Sequence, residues 1–270
     1  MKTTHRSPLS PAALTGAAFL SLFAAAPASA QDGGGGHTIT LGGGAQTYPK
    51  FPVSDSYGIN FLPIFGFRRE GTPMPFEAPD DGAGFGVLGR DSVVNFGPAL
   101  RLQNKREEDD VGAPVGDVGF TVEVGGFVEV SPSENFRLRA ELRQGIGGHD
   151  GLTGDLGADF VIRDEQAYIF SIGPRARWAD NDYHDTYFGV TPAIAGATGL
   201  PAYNPNGGIY AYGAVAGLTQ KLGRNWGVQA YVGYDRLVGD AADSPIVRAF
   251  GSRDQFSGGA GLFIEFNIGG

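Results

Sequence analysis

Charged residues at alternate positions are the first chemistry this sequence offers. Arg137, Arg139, Glu141 and Arg143 interleave with Phe136, Leu138, Ala140 and Leu142, so one face of that stretch is ionic and the other apolar. Asp155 and Asp159 stand in the next stretch of the same kind, and Arg175 and Arg177 in the one after it. Carboxylates and guanidinium groups on neighbouring extended segments meet as cross-strand ion pairs. Such a cluster either knits a water-filled or plugged interior or lines a selective pathway for ions or solutes. The first reading is the plainer one.

Other reactive groups are sparse. Residues 31–270 hold three histidines, His37, His149 and His184, all at the N-terminus or in expected loops. A Ser-His-acid arrangement on a barrel wall would need Ser171 or Ser257 to meet one of them in space. Nothing resembles a nucleophile elbow or an HExxH helix. Asp180, Asn181, Asp182 and Asp185, like Glu107, Glu108, Asp109 and Asp110, present oxygens suited to Ca²⁺, but without the rest of an EF-hand loop they read as solvated acidic loop tips. The glycines at 33–36 and 42–44 do not open a helix after a strand, so they cradle no phosphate, and the first group reads as a flexible leader. The expectation is no catalytic residue, no metal and no cofactor.

The elements that position these groups are strands. Period-two alternation runs through 118–130, 136–144, 152–162 and 168–178, and in shorter or glycine-diluted form through 94–102, 209–222, 226–234 and 258–267. No helical stretch of comparable quality competes. Short turns at 131–134, 163–165 and 223–225 alternate with longer polar connections at 103–116 and 235–255, provided that 179–207 is a single long excursion. A soluble β-sandwich also alternates, but short turns at one end and long loops at the other are the habit of transmembrane barrels. The resulting strands are 36–44, 57–67, 73–78, 82–89, 93–103, 117–130, 135–145, 151–162, 166–178, 208–222, 226–235 and 256–267. The predicted fold is therefore an all-β antiparallel transmembrane β-barrel of about 12 strands, with 10 or 14 also compatible, and with long external loops.

Aromatic placement tests this independently. Trp226 and Tyr234 lie eight residues apart on one apolar face, and Tyr168 and Trp178 ten apart on another. On tilted strands those spacings give heights of roughly 20 and 25 Å, close to the apolar band between two headgroup levels.

Composition agrees. The 270 residues include 45 Gly and no Cys, with 41% hydrophobic and 18% charged residues, which argues against a disulfide scaffold and against disorder. The net charge is −9, and it becomes −11 for residues 31–270 because the first 30 contribute Lys2 and Arg6 and no acid. A chain so acidic is not expected to bind nucleic acid. Residues 1–30 read as a secretory signal, with Lys2 and Arg6 before an apolar stretch from Ala12 to Ala26, and Ala28-Ser29-Ala30 as the cleavage site. Cleavage after Ala30 would leave 31–270 as a single barrel.

Several motifs carry a resemblance. They are Tyr187-Phe188-Gly189-Val190-Thr191, the run from Gly199 to Gly208 containing Pro201, Tyr203, Asn204 and Pro205, the run from Arg236 to Val247 containing Asp240 and Asp243, and Gly251-Ser252-Arg253-Asp254-Gln255-Phe256. Weaker matches lie at Gly147 to Gly151 with His149, at Asn95 to Pro98, and at Tyr48 to Tyr57. Together these motifs resemble the MipA/OmpV family of outer-membrane proteins. That resemblance implies a barrel in the outer membrane of a Gram-negative bacterium, contacting membrane lipids. It further implies a scaffolding role in which the protein contacts a lytic murein transglycosylase and a penicillin-binding protein from the periplasmic side. Other members resemble porin-like or adhesion-related proteins, and no catalytic site is transferred. Such barrels commonly end on an aromatic residue, whereas here Asn267-Ile268-Gly269-Gly270 follow Phe266, so the expectation is either that Phe266 serves in its place or that assembly is less efficient.

The loop motifs are read as folded structure in which Arg236, Asp240, Asp243, Arg253 and Asp254 pair and the excursions 179–207 and 235–255 pack together at the external mouth. The favoured function is structural or scaffolding. The alternative is a small-solute or ion channel with an Arg/Asp lumen, and a barrel hydrolase is a distant third.

Overall fold

A computed structural model describes residues 36–88, 92–164 and 167–269. The expected signal at 1–30, the leader glycines 33–35 and Glu165 of the turn at 163–165 lie outside the described residues. The strands are β1 (His37–Pro49), β2 (Tyr57–Arg69), β3 (Ala83–Gly84), β4 (Val94–Gln103), β5 (Thr121–Ser133), β6 (Phe136–Ile146), β7 (Leu152–Asp164), β8 (Tyr168–Ala179), β9 (Gly208–Lys221), β10 (Trp226–Leu237) and β11 (Asp254–Ile268). They form one eleven-stranded antiparallel sheet in the order β2-β1-β11-β10-β9-β8-β7-β6-β5-β4-β3, curled toward a barrel. Residue His37 opposes Ile268, so the first and last strands pair and begin and end together at the end where the tight turns lie.

Alternation places the apolar face outside. On β6 each of Phe136, Leu138, Ala140 and Leu142 is exposed and every Arg or Glu between them is buried. Leu138 is 41% exposed, Leu156 56%, Phe160 51% and Ile172 48%, whereas Arg143 and Asp159 are each 1% exposed. A water-soluble sandwich would show the reverse. The enclosed space is ionic and the outer surface is a belt of Leu, Ile, Val and Phe, the arrangement that suits hydrocarbon outside and polar groups inside.

Three expectations require correction. The strand expected at 73–78 does not form: the segment between β2 and β3 leaves the wall and folds inside the sheet. Its Pro73, Pro75 and Pro79 contribute, since each supplies no ladder N–H and three within seven residues leave few donors for pairing. The strand expected at 82–89 shrinks to Ala83 and Gly84, paired with Leu100 and Ala99. Among the described residues the count is therefore eleven, and no ladder joins β2 to β3.

The long connections also contain helices that the alternation did not predict: α1 (Glu108–Val111), α2 (Asn181–Phe188), α3 (Pro192–Thr198), α4 (Gly239–Asp243) and α5 (Pro245–Phe250). Their start signals are local. Asp180 accepts the Tyr183 N–H, Thr191 the Ile194 N–H and Ser244 the Ile246 N–H, and the last two are followed by proline at the first helical position. The acidic cluster at 180–185 is thus in part a helix cap. Among the described residues no group of His, Asp and Glu is arranged to hold a metal.

Candidate functional site

The lumen is assembled from inward-facing positions of β4 to β8. Arg137 on β6 binds Asp159 on β7 at 2.8 Å, and Asp159 also accepts from Arg175 on β8 at 2.8 Å, so one carboxylate joins three strands. One turn of the ladder nearer the loops, Asp155 accepts from Arg177 at 2.7 Å, from Arg101 on β4 at 3.1 Å and from Arg143. Arg143 also holds Glu123 at 2.9 Å and contacts Glu141, which binds Arg139 at 2.7 Å. All eight sequence-selected ionic residues therefore meet in one network. Sequence reasoning missed Arg101, Glu123, Glu129 and Asp235, whose strands alternate less cleanly around glycine.

It also missed the centre of the network. The inward-folded segment lays Met74 against Val161 and Ile169, Phe76 under the Arg137 guanidinium at 4.8 Å, and Pro79 beside Gly217. Its tip carries Asp80 and Asp81. The Asp80 carboxylate accepts from Arg175 at 2.9 Å and from Arg177 at 3.1 Å, while Arg101 donates to its backbone carbonyl at 2.8 Å. Asp81 takes a two-pronged contact from Arg137, at 2.7 and 3.1 Å. What remains open among these groups is a cavity of about 20 Å³, lined by Asp80, Asp81, Arg101, Arg139, Glu141 and Asp155 among others. That holds about one water molecule. A Pro79-Asp80-Asp81 run after Pro73 and Pro75 was the available signal, since acids beside non-strand residues seldom belong to a wall.

A second, smaller group lies toward the turn end, where Glu265 binds Arg68 at 3.0 Å and Lys221 at 2.6 Å.

The loop end is closed by a packed cap. Phe51, Val118, Tyr183, Tyr187, Phe188, Leu237 and Val247 share one buried cluster, and Val115, Val190 and Ile246 form another against Leu200 and Tyr203. Tyr203 donates to the Asp240 carbonyl at 2.9 Å, and the Ser244 hydroxyl donates to the Phe188 carbonyl at 2.7 Å. The two excursions are thus stitched together. Pro201 and Asn204 are exposed while Pro205 is buried. The Asn206 N–H and side-chain amide hold the Asp240 carboxyl below its ordinary range, so Asp240 pairs with an amide rather than with arginine. Arg236 binds Asp254 at 2.5 Å and Arg253 binds Asp243 at 3.3 Å.

Under the cap, His149 contacts Glu123 at 3.3 Å and accepts the Gly151 N–H, and its partners are these rather than a serine. Arg106, another residue missed from sequence, is 2% exposed and donates to the carbonyls of Tyr187, Thr186 and Gly116. Burial pushes its pKa down, and pushes those of Tyr183 and Tyr187 up. Val53 adopts φ 78°, a strained conformation for a β-branched residue, where its carbonyl receives the Ser252 N–H and ties the β1–β2 loop to the 251–253 strip. Among the aromatic residues, Trp178 and Trp226 are exposed and Tyr168 and Tyr234 half-buried, with Tyr234 donating to Asp254 at 2.6 Å.

With that geometry in place, comparison with known proteins is informative. The family model of the MltA-interacting protein MipA matches residues 41–266. This chain belongs to the MipA family. It is an outer-membrane β-barrel protein. No curated protein matches its sequence significantly. Among solved structures, it is similar to the NanC porin at 10% identity, covering 84% of this chain and 98% of that one with a TM-score of 0.39. It is also similar to the COG4313 outer membrane channel from Pseudomonas putida F1, at 10% identity, 89% and 99% coverage and a TM-score of 0.41. The outer membrane protein OprG from Pseudomonas aeruginosa is similar at 9% identity, 86% and 96% coverage and a TM-score of 0.30.

Proposed function

We propose that this MipA-family barrel has a structural, scaffolding role in the outer membrane, tethering murein-remodelling enzymes, namely a murein transglycosylase and a penicillin-binding protein. The single observation that carries this reading is the filled lumen: a segment of the chain occupies it, its carboxylates pair with arginines of the wall, and a cavity of about 20 Å³ remains among them. A wall closed at its centre and capped at one end works through its surfaces. The family description, which names an interaction with MltA, supports a transglycosylase as the partner. In this reading residues 1–30 are a signal removed near Ala30, the loop end faces outward, and the outer apolar belt with Tyr168, Trp178, Trp226 and Tyr234 contacts lipid. We assign no catalytic residue.

The tight turns at the other end are only a few residues each. A stable interface of about 800 Å² per partner must therefore span several of them together. The test is co-purification from detergent extracts. Capture of a transglycosylase by the intact protein, without conductance in planar bilayers, supports the scaffold. Failure of capture from extracts in which the enzyme is abundant overturns it.

One observation favours a channel as a second reading. The lumen wall is lined by arginines and carboxylates that water can solvate, so displacing the inner segment would leave a hydrated path. Conductance that disappears in an Arg175→Ala/Arg177→Ala variant would favour this reading over the first.

A further inference from the structure

The Asp80 carboxylate is held as a bound ligand would be. Arg175 approaches it with both Nε and Nη2, Arg177 adds Nη2, and Arg101 takes the carbonyl of the same residue. Three guanidinium groups from β4 and β8 thus converge on one residue that is not part of the wall. Planar, two-pronged recognition of a carboxylate is what arginine does best. The inner segment is also held by Met74 and Phe76 on apolar contacts, Pro79 against Gly217, Asp81 on Arg137 and Arg139, and the Gly82 N–H on the Glu141 carboxylate. Among the described residues, its 72–82 stretch makes no ladder with β2 or with any other strand before Ala83. A ladder strand is bound by its backbone, whereas this segment is held mainly by side chains, with its charged contacts at the tip.

The wall retains partners for its arginines when the tip leaves. Arg175 keeps Asp159, Arg177 keeps Asp155 and Asp235, and Arg101 keeps Asp155. Withdrawal of Asp80 therefore frees donor edges without stranding a bare buried charge, which is the condition for an exchangeable ligand. We propose that Arg101, Arg175 and Arg177 form a binding site for carboxylate-bearing solutes, occupied in cis by Asp80, and that a solute carboxylate displaces the segment from the lumen. The inference depends on neither functional reading above, because occupancy of the site requires neither conductance nor a protein partner.

The chain contains no cysteine, so a cross-link reports the segment's position cleanly. Pro79 Cγ lies 2.9 Å from where a Gly217 Cβ would sit, so a Pro79→Cys/Gly217→Cys variant of the full chain, refolded in detergent, should oxidise readily when the segment is seated. The probes are millimolar D-glucuronate, succinate and glucose, each at matched ionic strength with sodium chloride. Folding of every variant is checked by heat-modifiable migration. The expected result is that glucuronate or succinate slows cross-linking by about fivefold or more relative to glucose, as competition with a charge-assisted contact predicts. Slowing by both acids shows that the carboxylate suffices, and slowing by glucuronate alone shows that a sugar acid is read.

A second variant gives an independent arm. Adding Asp80→Asn to the cysteine pair should slow cross-linking in glucose and abolish the response to acid. Equal rates in all three probes, or an acid response unchanged by Asp80→Asn, overturns the proposal.

Discussion

Asp159 shows how a single buried group decides the stability of the interior. It is 1% exposed and shared by Arg137 and Arg175, so Asp159→Ala removes one partner from each, although Arg137 keeps Asp81 and Arg175 keeps Asp80. Leaving buried donors short of a charged acceptor costs about 1–3 kcal/mol. Urea titration of the refolded barrel in detergent should show that loss, whereas Arg236→Ala, which removes an exposed, solvent-screened pair with Asp254, should leave the midpoint nearly unchanged. His184 carries a pH dependence. Its ring packs against Phe188 and Tyr210, its nitrogens have no hydrogen bond of good geometry, and burial pushes its pKa down despite Asp240, Asp180 and Asp185. The unfolded chain therefore takes up the proton first, near the usual value of about 6.5. Cap stability is complete above that pH and falls as pH drops through it toward the folded value. Hydrogen-exchange protection of residues 181–188, corrected for the intrinsic pH dependence of exchange, should fall between neutral pH and about 5 in the wild type, and should lose that dependence in His184→Phe. The ionic residues on clean alternations were legible from sequence, and their particular partners were not, because a partner depends on register and on which strand lies beside which.

Among the elements, β8 is the instructive one. Its ladder with β7 skips from the Gly157–Arg175 pair to the Phe160–Ile172 pair, at the point where Pro174 has no N–H to give. Arg175 Nη1 reaches the Ala158 carbonyl there at 3.4 Å, beside the proline that cannot donate to the ladder. Gly173 sits in the same place, and a Cβ on it would fall 1.7 Å from the Ala158 oxygen. Gly173→Ala must push β7 and β8 apart, and the expected outcome is loss of the heat-modifiable band in membrane fractions. The cap depends on helix starts. Ser244 is fully buried, caps α5 and donates to Phe188, so Ser244→Ala should cost about 1–2 kcal/mol and expose the 237–254 connection to protease while the strands stay protected. The strands of 118–178 were readable because period two has one physical cause, a sheet between two solvents. The 73–78 strand was misread because a short apolar run flanked by prolines satisfies the same pattern without being able to join a ladder.

For the whole molecule, the outer belt predicts membrane dependence. Leu156 is exposed midway along β7, and Leu156→Arg should lower assembly into lipid vesicles by about 2–4 kcal/mol without touching the ionic lumen. A stability loss of the same size in detergent alone, with vesicle assembly unchanged, would contradict a lipid-facing belt. The sequence by itself determined that the chain is antiparallel β, that its greasy and charged faces separate, and that long connections gather at one end, because each follows from residue type and spacing along the chain. Only the tertiary structure decided that the ladder has eleven strands, that the long connections build a helical cap, and that Asp80 and Asp81 fill the centre of the lumen. Those outcomes turn on contacts between residues far apart in sequence, such as Asp80 with Arg175 and Arg177, and no local periodicity records which distant charge a given carboxylate will find.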